Sequence, residues 1–365
     1  MQDFFEKKEC LFFTRSPSGC SRTLTGKTLF REEFRYTHNR ACRKKLPVQV
    51  MISRFSFTPL KGDRYMEKQE RSSRGTLFVL LGAVLWGTTG TSQALAPAGA
   101  GPASIGAVRI FIGGSALLFI AIMRKSFWGG GRWAFLPTAI AVLAIASYQP
   151  FFFTGVSKTG VAVGTLVTIG SSPVISGVLG YLFLGEKPER KWYLSSAMAI
   201  AGCTLLTLSG GSVDTVDPVG VLFSLGAGFS YSMFVLSSKY LLLEHSADAV
   251  NGVVFFAAGI ILLPVLMSSP PLWLASPRGL LVAAHLGLIA TALSYFLFLK
   301  GLSSVPASTS VTISLAEPLT AALLGVFFLG ERLNFTGGAG IVLLFAGVAL
   351  LAVGGAGSQS CSNSG

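Results

Sequence analysis

Long, uninterrupted apolar runs separated by short polar connections organise the chain from Gly75 onward. A helix needs about 20 apolar residues to cross a hydrocarbon core of about 30 Å. Ten segments qualify: about 75–95, 102–123, 134–156, 160–184, 191–210, 218–238, 250–268, 279–299, 304–329 and 335–355. A buried soluble core would show shorter runs. Inside lipid every backbone donor and acceptor must be paired within its own segment, which excludes open sheets and leaves helices.

The ten runs fall into two halves. A shift of 145 residues brings Gly75, Leu77 and Phe78 onto Gly220, Leu222 and Phe223, Trp86 onto Tyr231, and Pro173 onto Pro318. The same shift lays Phe183-Leu184-Gly185-Glu186 on Phe328-Leu329-Gly330-Glu331, and Ala201-Gly202 on Ala346-Gly347. Five helices per half is an odd number, so the second half must enter the membrane from the opposite face. The expected fold is therefore all-α and membrane-integral, ten transmembrane helices as two inverted five-helix repeats over 75–210 and 218–355. Inverted repeats let a carrier present one site alternately to each side.

Charge orients the bundle. With the N-terminus in the cytoplasm, that side collects Lys68, Arg71, Arg74, Arg124, Lys125, Arg132, Lys187, Arg190, Lys191, Lys239 and Lys300. The opposite side collects Lys158, Arg278 and Arg332, so the bias is the one expected of a multi-pass protein of the cell membrane with both termini cytoplasmic. Composition agrees: 51% of residues are hydrophobic and 12% charged, where a soluble chain carries about 25% charged. The net charge of +13 sits mostly in a polar, basic extension over 1–74, with no folded basic motif that would read as a nucleic-acid surface. That extension is either disordered or an over-extended start, since Met66 opens a short polar leader before the first helix. A short polar tail follows over 356–365.

The duplicated pattern resembles the EamA-type carriers of the drug/metabolite transporter superfamily, over residues 75–355. The resemblance rests on Leu85-Trp86-Gly87, Arg109, Pro173 and Leu184-Gly185-Glu186, repeated as Glu317-Pro318 and Leu329-Gly330-Glu331. It implies a ten-helix carrier for amino acids, related metabolites or drugs. The second half departs from it at Tyr231-Ser232, where the first has Trp86-Gly87.

Charged side chains at membrane depth are costly and tend to face a pathway. Glu317 is such a residue, halfway along the ninth segment and directly before Pro318; its counterpart is Ser172 before Pro173. Proline removes a backbone donor, so Pro173 and Pro318 are expected helix breaks, which in matched repeats point to a binding site. Glu317 either contacts a substrate ammonium group or carries a coupling proton, or else is a buried acid neutralised by Arg109. Arg109 in turn either binds a substrate carboxylate or holds its helix against a neighbour. The expected cavity lining is Trp86, Tyr148, Gln149, Thr168, Ser171, Tyr231, Tyr295, Ser314 and Glu317, aromatic faces with a few polar groups that suit small amphipathic substrates. His285 reads as a hydrogen-bonded structural residue, and Lys158 and Lys300 as charges reaching for the headgroups.

No Gly-x-x-x-x-Gly-Lys-Ser/Thr loop occurs, so ATP-driven transport is not encoded in this chain. The sequence shows no metal-ligand spacing, no catalytic nucleophile motif and no sign of a cofactor; Cys10, Cys20, Cys42, Cys203 and Cys361 are unpaired in spacing. The expectation is a secondary exporter of small metabolites such as amino acids or drugs, not an enzyme, with the lipid bilayer and a small-molecule substrate as partners, driven either by the substrate gradient or by proton exchange, for which Glu317 is the candidate. The alternatives are an intramembrane lipid-modifying enzyme or a membrane protein that transports nothing. Substrate identity, direction, coupling ion and oligomeric state are not legible.

Overall fold

Every long apolar run is helical. The computed structural model describes residues 73–128, 131–209, 217–329 and 334–354, and no strand occurs among them. They belong to one unit, Met51–Gly365; the other, Met1–Val50, lies outside the described residues. So do the rest of the basic extension apart from Ser73 and Arg74, the polar tail, and Gly330 and Glu331 of the second Leu-Gly-Glu motif.

Nine helices among the described residues are long and apolar enough to cross a membrane: α1 Ser73–Ala94, α2 Pro102–Met123, α3 Phe135–Gly160, α4 Val163–Leu184, α6 Pro218–Leu241, α7 Ala247–Ser268, α8 Pro277–Leu302, α9 Ala307–Phe327 and α10 Phe335–Ala352. The remaining expected segment is α5, Arg190–Leu208, whose 19 residues open on Arg190 and Lys191 and are less apolar. Local sequence sets the ends. Asp217 and Ser276 cap α6 and α8 by accepting from Val219 N at 2.8 Å and Gly279 N at 3.0 Å, each followed by a proline at the first helical position. Gly160, with φ 82°, turns α3 into α4 through a left-handed conformation that a side chain would strain.

Packing repeats the sequence symmetry. α1 lies against α8 and α9, and α6 against α3 and α4; α2 pairs with α7, and α5 with α10. Each pairing crosses between repeats, and the 145-residue shift turns each into its counterpart. Small residues permit it. A Cβ on Gly114 of α2 would sit 2.5 Å from the Phe255 carbonyl of α7, and one on its counterpart Gly259 would sit 3.1 Å from Phe111 Cα of α2. Apolar side chains face outward, Phe119, Leu222, Phe327 and Phe345 among the most exposed, while Ser195, Ser224, Ser232, Ser294, Ser310 and Thr312 are fully buried. Such an inside-out distribution suits a lipid solvent.

The two proline-bearing helices differ from expectation. α4 runs on through Pro173 with no break there. α9 is interrupted, as α9a Ala307–Ile313 and α9b Ala316–Leu329, at Ser314 and Leu315 rather than at the proline itself. Pro318 cannot bond to the Ser314 carbonyl, and Glu317 N takes it instead at 2.9 Å; Leu315 N bonds Thr312 O at 3.1 Å. These i→i−3 bonds tighten the chain out of α geometry. In α4 the hydroxyls of Ser171 and Ser172 both donate to Thr168 O, and Ser232 of α6 shares its one hydroxyl proton between Gly228 O of its own helix at 2.9 Å and Ser172 O at 3.1 Å, bracing the stretch around the proline. The reading of Pro173 as a helix break is corrected accordingly.

Candidate functional site

The pseudo-twofold axis relates α4 to α9 and α1 to α6, and a cavity lies among all four. It is lined by Trp86 and Thr89 of α1, Arg109 of α2, Tyr148 of α3, Thr168, Ile169 and Ser172 of α4, and Tyr231 of α6, then by Tyr295 of α8 and Val311, Ser314, Leu315 and Glu317 of α9. The space open to the centre of a water molecule is about 60 Å³.

Aromatic rings build the wall. Trp86 and its repeat counterpart Tyr231 meet edge-on, with ring centroids 6.2 Å apart and planes at 85°. Tyr295 stands 4.7 Å and Phe298 5.0 Å from the Trp86 ring, and Tyr148 stands 6.4 Å from Tyr231. Trp86 is thus a core residue, not part of a headgroup belt. The Tyr231 hydroxyl shares a hydrogen bond with Ser314 Oγ at 3.0 Å, which ties α6 to the break in α9. Thr168 Oγ1 donates to Ser224 O at 3.0 Å, fixing α4 on α6.

The charges are left open. Among the described residues neither Arg109 nor the Glu317 carboxylate has a hydrogen-bond or ion-pair partner, although both line one cavity. Arg109 Nε and Trp86 Nε1 are buried with no partner. Direct neutralisation of Glu317 by Arg109 is therefore not what the geometry shows: the two are separated by more than the 4 Å of an ion pair. Unpaired buried polar groups are costly unless something satisfies them, and here they converge on a space.

Two expected lining residues lie elsewhere. The side chain of Gln149, on α3, packs against α2, where a Cβ on Gly106 would be 3.1 Å from its Oε1. Ser171 donates to Thr168 O and packs on Gly228 of α6. Each is the neighbour of a true lining residue, Tyr148 and Ser172, and one residue along a helix is a rotation of about 100°. Ser172 was findable, because the 145-residue shift lays it on Glu317; Thr89 was findable as one turn beyond Trp86. His285 shares a 2.9 Å hydrogen bond with Thr88 Oγ1, anchoring the π-helical stretch His285–Leu293 to α1. Lys158 pairs with Asp217 at 3.4 Å, and Lys300 lies 4.2 Å over the Phe296 ring. Lys239, expected among the cytoplasmic loop charges, is buried at the end of α6 and donates to the carbonyls of Leu302 and Val305. Among the described residues no group of three or more His, Cys, Asp or Glu could hold a metal ion.

The EamA-like transporter family matches the chain twice, over residues 73–208 and 218–353. The chain belongs to that family. The chain is 46% identical to the uncharacterized transporter YwfM of Bacillus subtilis (strain 168) over 276 residues, 76% of this chain and 93% of YwfM. The threonine/homoserine exporter RhtA of Escherichia coli (strain K12) is 31% identical over 198 residues, 51% of this chain and 64% of RhtA. A crystal structure of a protein at 18% identity shares the fold with a TM-score of 0.68, over 76% of this chain and 96% of that one. As an EamA-like transporter the chain is a multi-pass membrane protein that handles a small-molecule substrate.

Proposed function

We propose that this EamA-like transporter is a secondary exporter of small zwitterionic metabolites, amino acids foremost, working by alternating access around the cavity between α4 and α9. The observation behind this reading is the pair of opposite, unpartnered charges, Arg109 and Glu317, in one aromatic cavity of about 60 Å³. A guanidinium matches a carboxylate, and a carboxylate matches an ammonium group. The aromatic faces of Trp86, Tyr148, Tyr231 and Tyr295 would cover a short side chain and suit the ammonium as well. RhtA, a threonine/homoserine exporter by name, agrees with that chemistry.

When the substrate leaves, Glu317 loses its countercharge in a low-dielectric site, and taking up a proton relieves that cost. Proton exchange for substrate at one carboxylate then supplies coupling. The excess of Lys and Arg on one side supports cell-membrane placement with both termini cytoplasmic.

The test is flux in proteoliposomes with an amino-acid panel and drug-sized organic cations, under an imposed pH gradient. We expect uptake or counterflow of small amino acids, stimulated by the gradient, and none of the large cations. Folded protein that moves no amino acid under any gradient would overturn the reading.

A further inference from the structure

Two more buried charges lie at the end of α4 remote from Gly160, and the cavity does not use them. Glu186 follows the left-handed turn at Gly185 that ends α4, is only 6% exposed, and accepts the Ala307 backbone N–H on Oε2 at 2.8 Å. Lys239, in the last turn of α6 and 4% exposed, donates from Nζ to Leu302 O at 2.6 Å and Val305 O at 2.7 Å. Both grip the connection between α8 and α9a, Lys239 at Leu302 and Val305 and Glu186 at Ala307. They come from opposite repeats, Glu186 from the first and Lys239 from the second.

The gripped element reaches the cavity. α9a starts at Ala307, on Glu186, and ends at the break where Ser314 and Leu315 line the site. It is a short lever held at one end and hinged at the other. At the equivalent connection, between α3 and α4 at the opposite end of the bundle, the counterpart of Glu186 is Glu331, which lies outside the described residues. The described charges nearest to it are Lys158 and Asp217, 3.4 Å apart with side chains 42% and 35% exposed, and exposed pairs stabilise little. The position equivalent to Lys239 in the first repeat is Ala94.

We propose that Glu186 and Lys239 form the latch that shuts the transport pathway at their end, so that the carrier rests closed there and open toward the α3–α4 connection. The proposal rests on the alternating-access reading above. Buried charges cannot lose their partners without water to replace them. The latch therefore breaks only as water enters from its own side, which ties its release to opening of the site there.

A cysteine in the cavity reports the state without any substrate. Thr89→Cys, in a chain whose native cysteines are replaced by serine, is labelled with a membrane-impermeant maleimide in right-side-out and inverted vesicles. The parent should label only from the end opposite the latch. Lys239→Gln should raise labelling from the latch side by on the order of tenfold, the population change that loss of a hydrogen bond to a charged group can produce, and Glu186→Gln, which removes the charge but keeps a neutral acceptor, should raise it by a smaller factor. Lys239→Arg, which keeps donors for both carbonyls, should restore the parent pattern. If both glutamine variants remain folded by thermal unfolding and label as the parent does, the latch is wrong while the carrier reading stands. If the parent itself labels equally from both sides, the resting bias falls while the alternating-access reading stands, since a carrier that visits both states equally labels from both. Glu186→Gln keeps a carbonyl acceptor for Ala307 N and is the milder change, should Lys239→Gln fail to fold.

Discussion

α4 and α9 occupy equivalent places in the two repeats, yet only one is broken and only that one carries an acid. In α4, the Ser172 carbonyl accepts from the Ser232 hydroxyl, so α6 braces the helix beside Pro173. In α9, the equivalent Glu317 carbonyl faces Gly87 of α1, where an added Cβ would lie 2.8 Å from it and closer still to Thr320. The contact is the same in both halves, made once by a hydroxyl and once by bare backbone. Without the brace, α9 tightens at Ser314–Leu315, and the Glu317 side chain is left with no protein partner among the described residues. Symmetry builds the cavity; the loss of one hydroxyl and the gain of one carboxylate give it polarity.

The largest effect should come from removing the acid. Glu317→Gln loses a charge-assisted contact of about 1.5–3 kcal/mol, so substrate affinity should fall about tenfold to hundredfold, and stimulation by a pH gradient should vanish. Stimulation at the wild-type level would rule Glu317 out as the proton site. Moving the acid sharpens the comparison: Ser172→Glu combined with Glu317→Ser places it on the unbroken helix. Transport should not return, and recovery to wild-type flux would show that the break in α9 is immaterial. Next in size is packing. Gly87→Leu must push α9 from α1, costing about 1–3 kcal/mol as overpacking in a tight interior, visible as a lower unfolding temperature in detergent. Ser232→Gly loses one buried hydrogen bond, about 1 kcal/mol. If the two cost the same, the asymmetry between the halves has no energetic weight.

Proline tests are finer. Pro318→Ala restores a donor for the Ser314 carbonyl, which Glu317 N now holds, and should slow turnover several-fold by about 1 kcal/mol as the break straightens. Pro173→Ala, in a helix already continuous, should change turnover less; equal effects would contradict the account. The smallest effect lies outside the membrane. The Val219 backbone N–H, and Lys158 after it, hold the Asp217 carboxyl below its ordinary value of 3.8. A depressed folded-state pKa adds stability above the ordinary value and forfeits it as pH falls through the lowered one. Asp217→Ala should therefore unfold slightly earlier than wild type at neutral pH, and the gap should close in acid. A gap that widens in acid would contradict that cap.

Much of this was legible in the sequence because lipid leaves few choices: apolar length gives the helices, and a constant offset gives the repeat. The offset also located the cavity, since Trp86 with Tyr231 and Ser172 with Glu317 are its symmetric pairs. Rotation was not legible. Gln149 and Ser171 have the right chemistry, but each faces about 100° away from the cavity, and only packing against Gly106 and Gly228 reveals it. Nor did the sequence distinguish a loop lysine from a buried one. Lys239 stands in the last turn of a helix of apolar and hydroxyl residues just as an interfacial lysine would, and its carbonyl partners lie more than 60 residues away, at Leu302 and Val305. Pro173 and Pro318 look alike in sequence. Ser232, a helix away, separates them.

Binding by ligands stripped of one charge at a time tests the site most directly. Calorimetric titration of the purified protein with a small amino acid, its N-acetyl derivative and its decarboxylated amine, repeated on Glu317→Gln and Arg109→Gln, isolates each pairing. The account predicts that N-acetylation weakens binding about tenfold or more in the wild type and has little further effect in Glu317→Gln, with the amine and Arg109→Gln showing the same dependence. Equal penalties for the stripped ligands in wild type and variants would mean that Glu317 and Arg109 do not hold the two ends of the substrate.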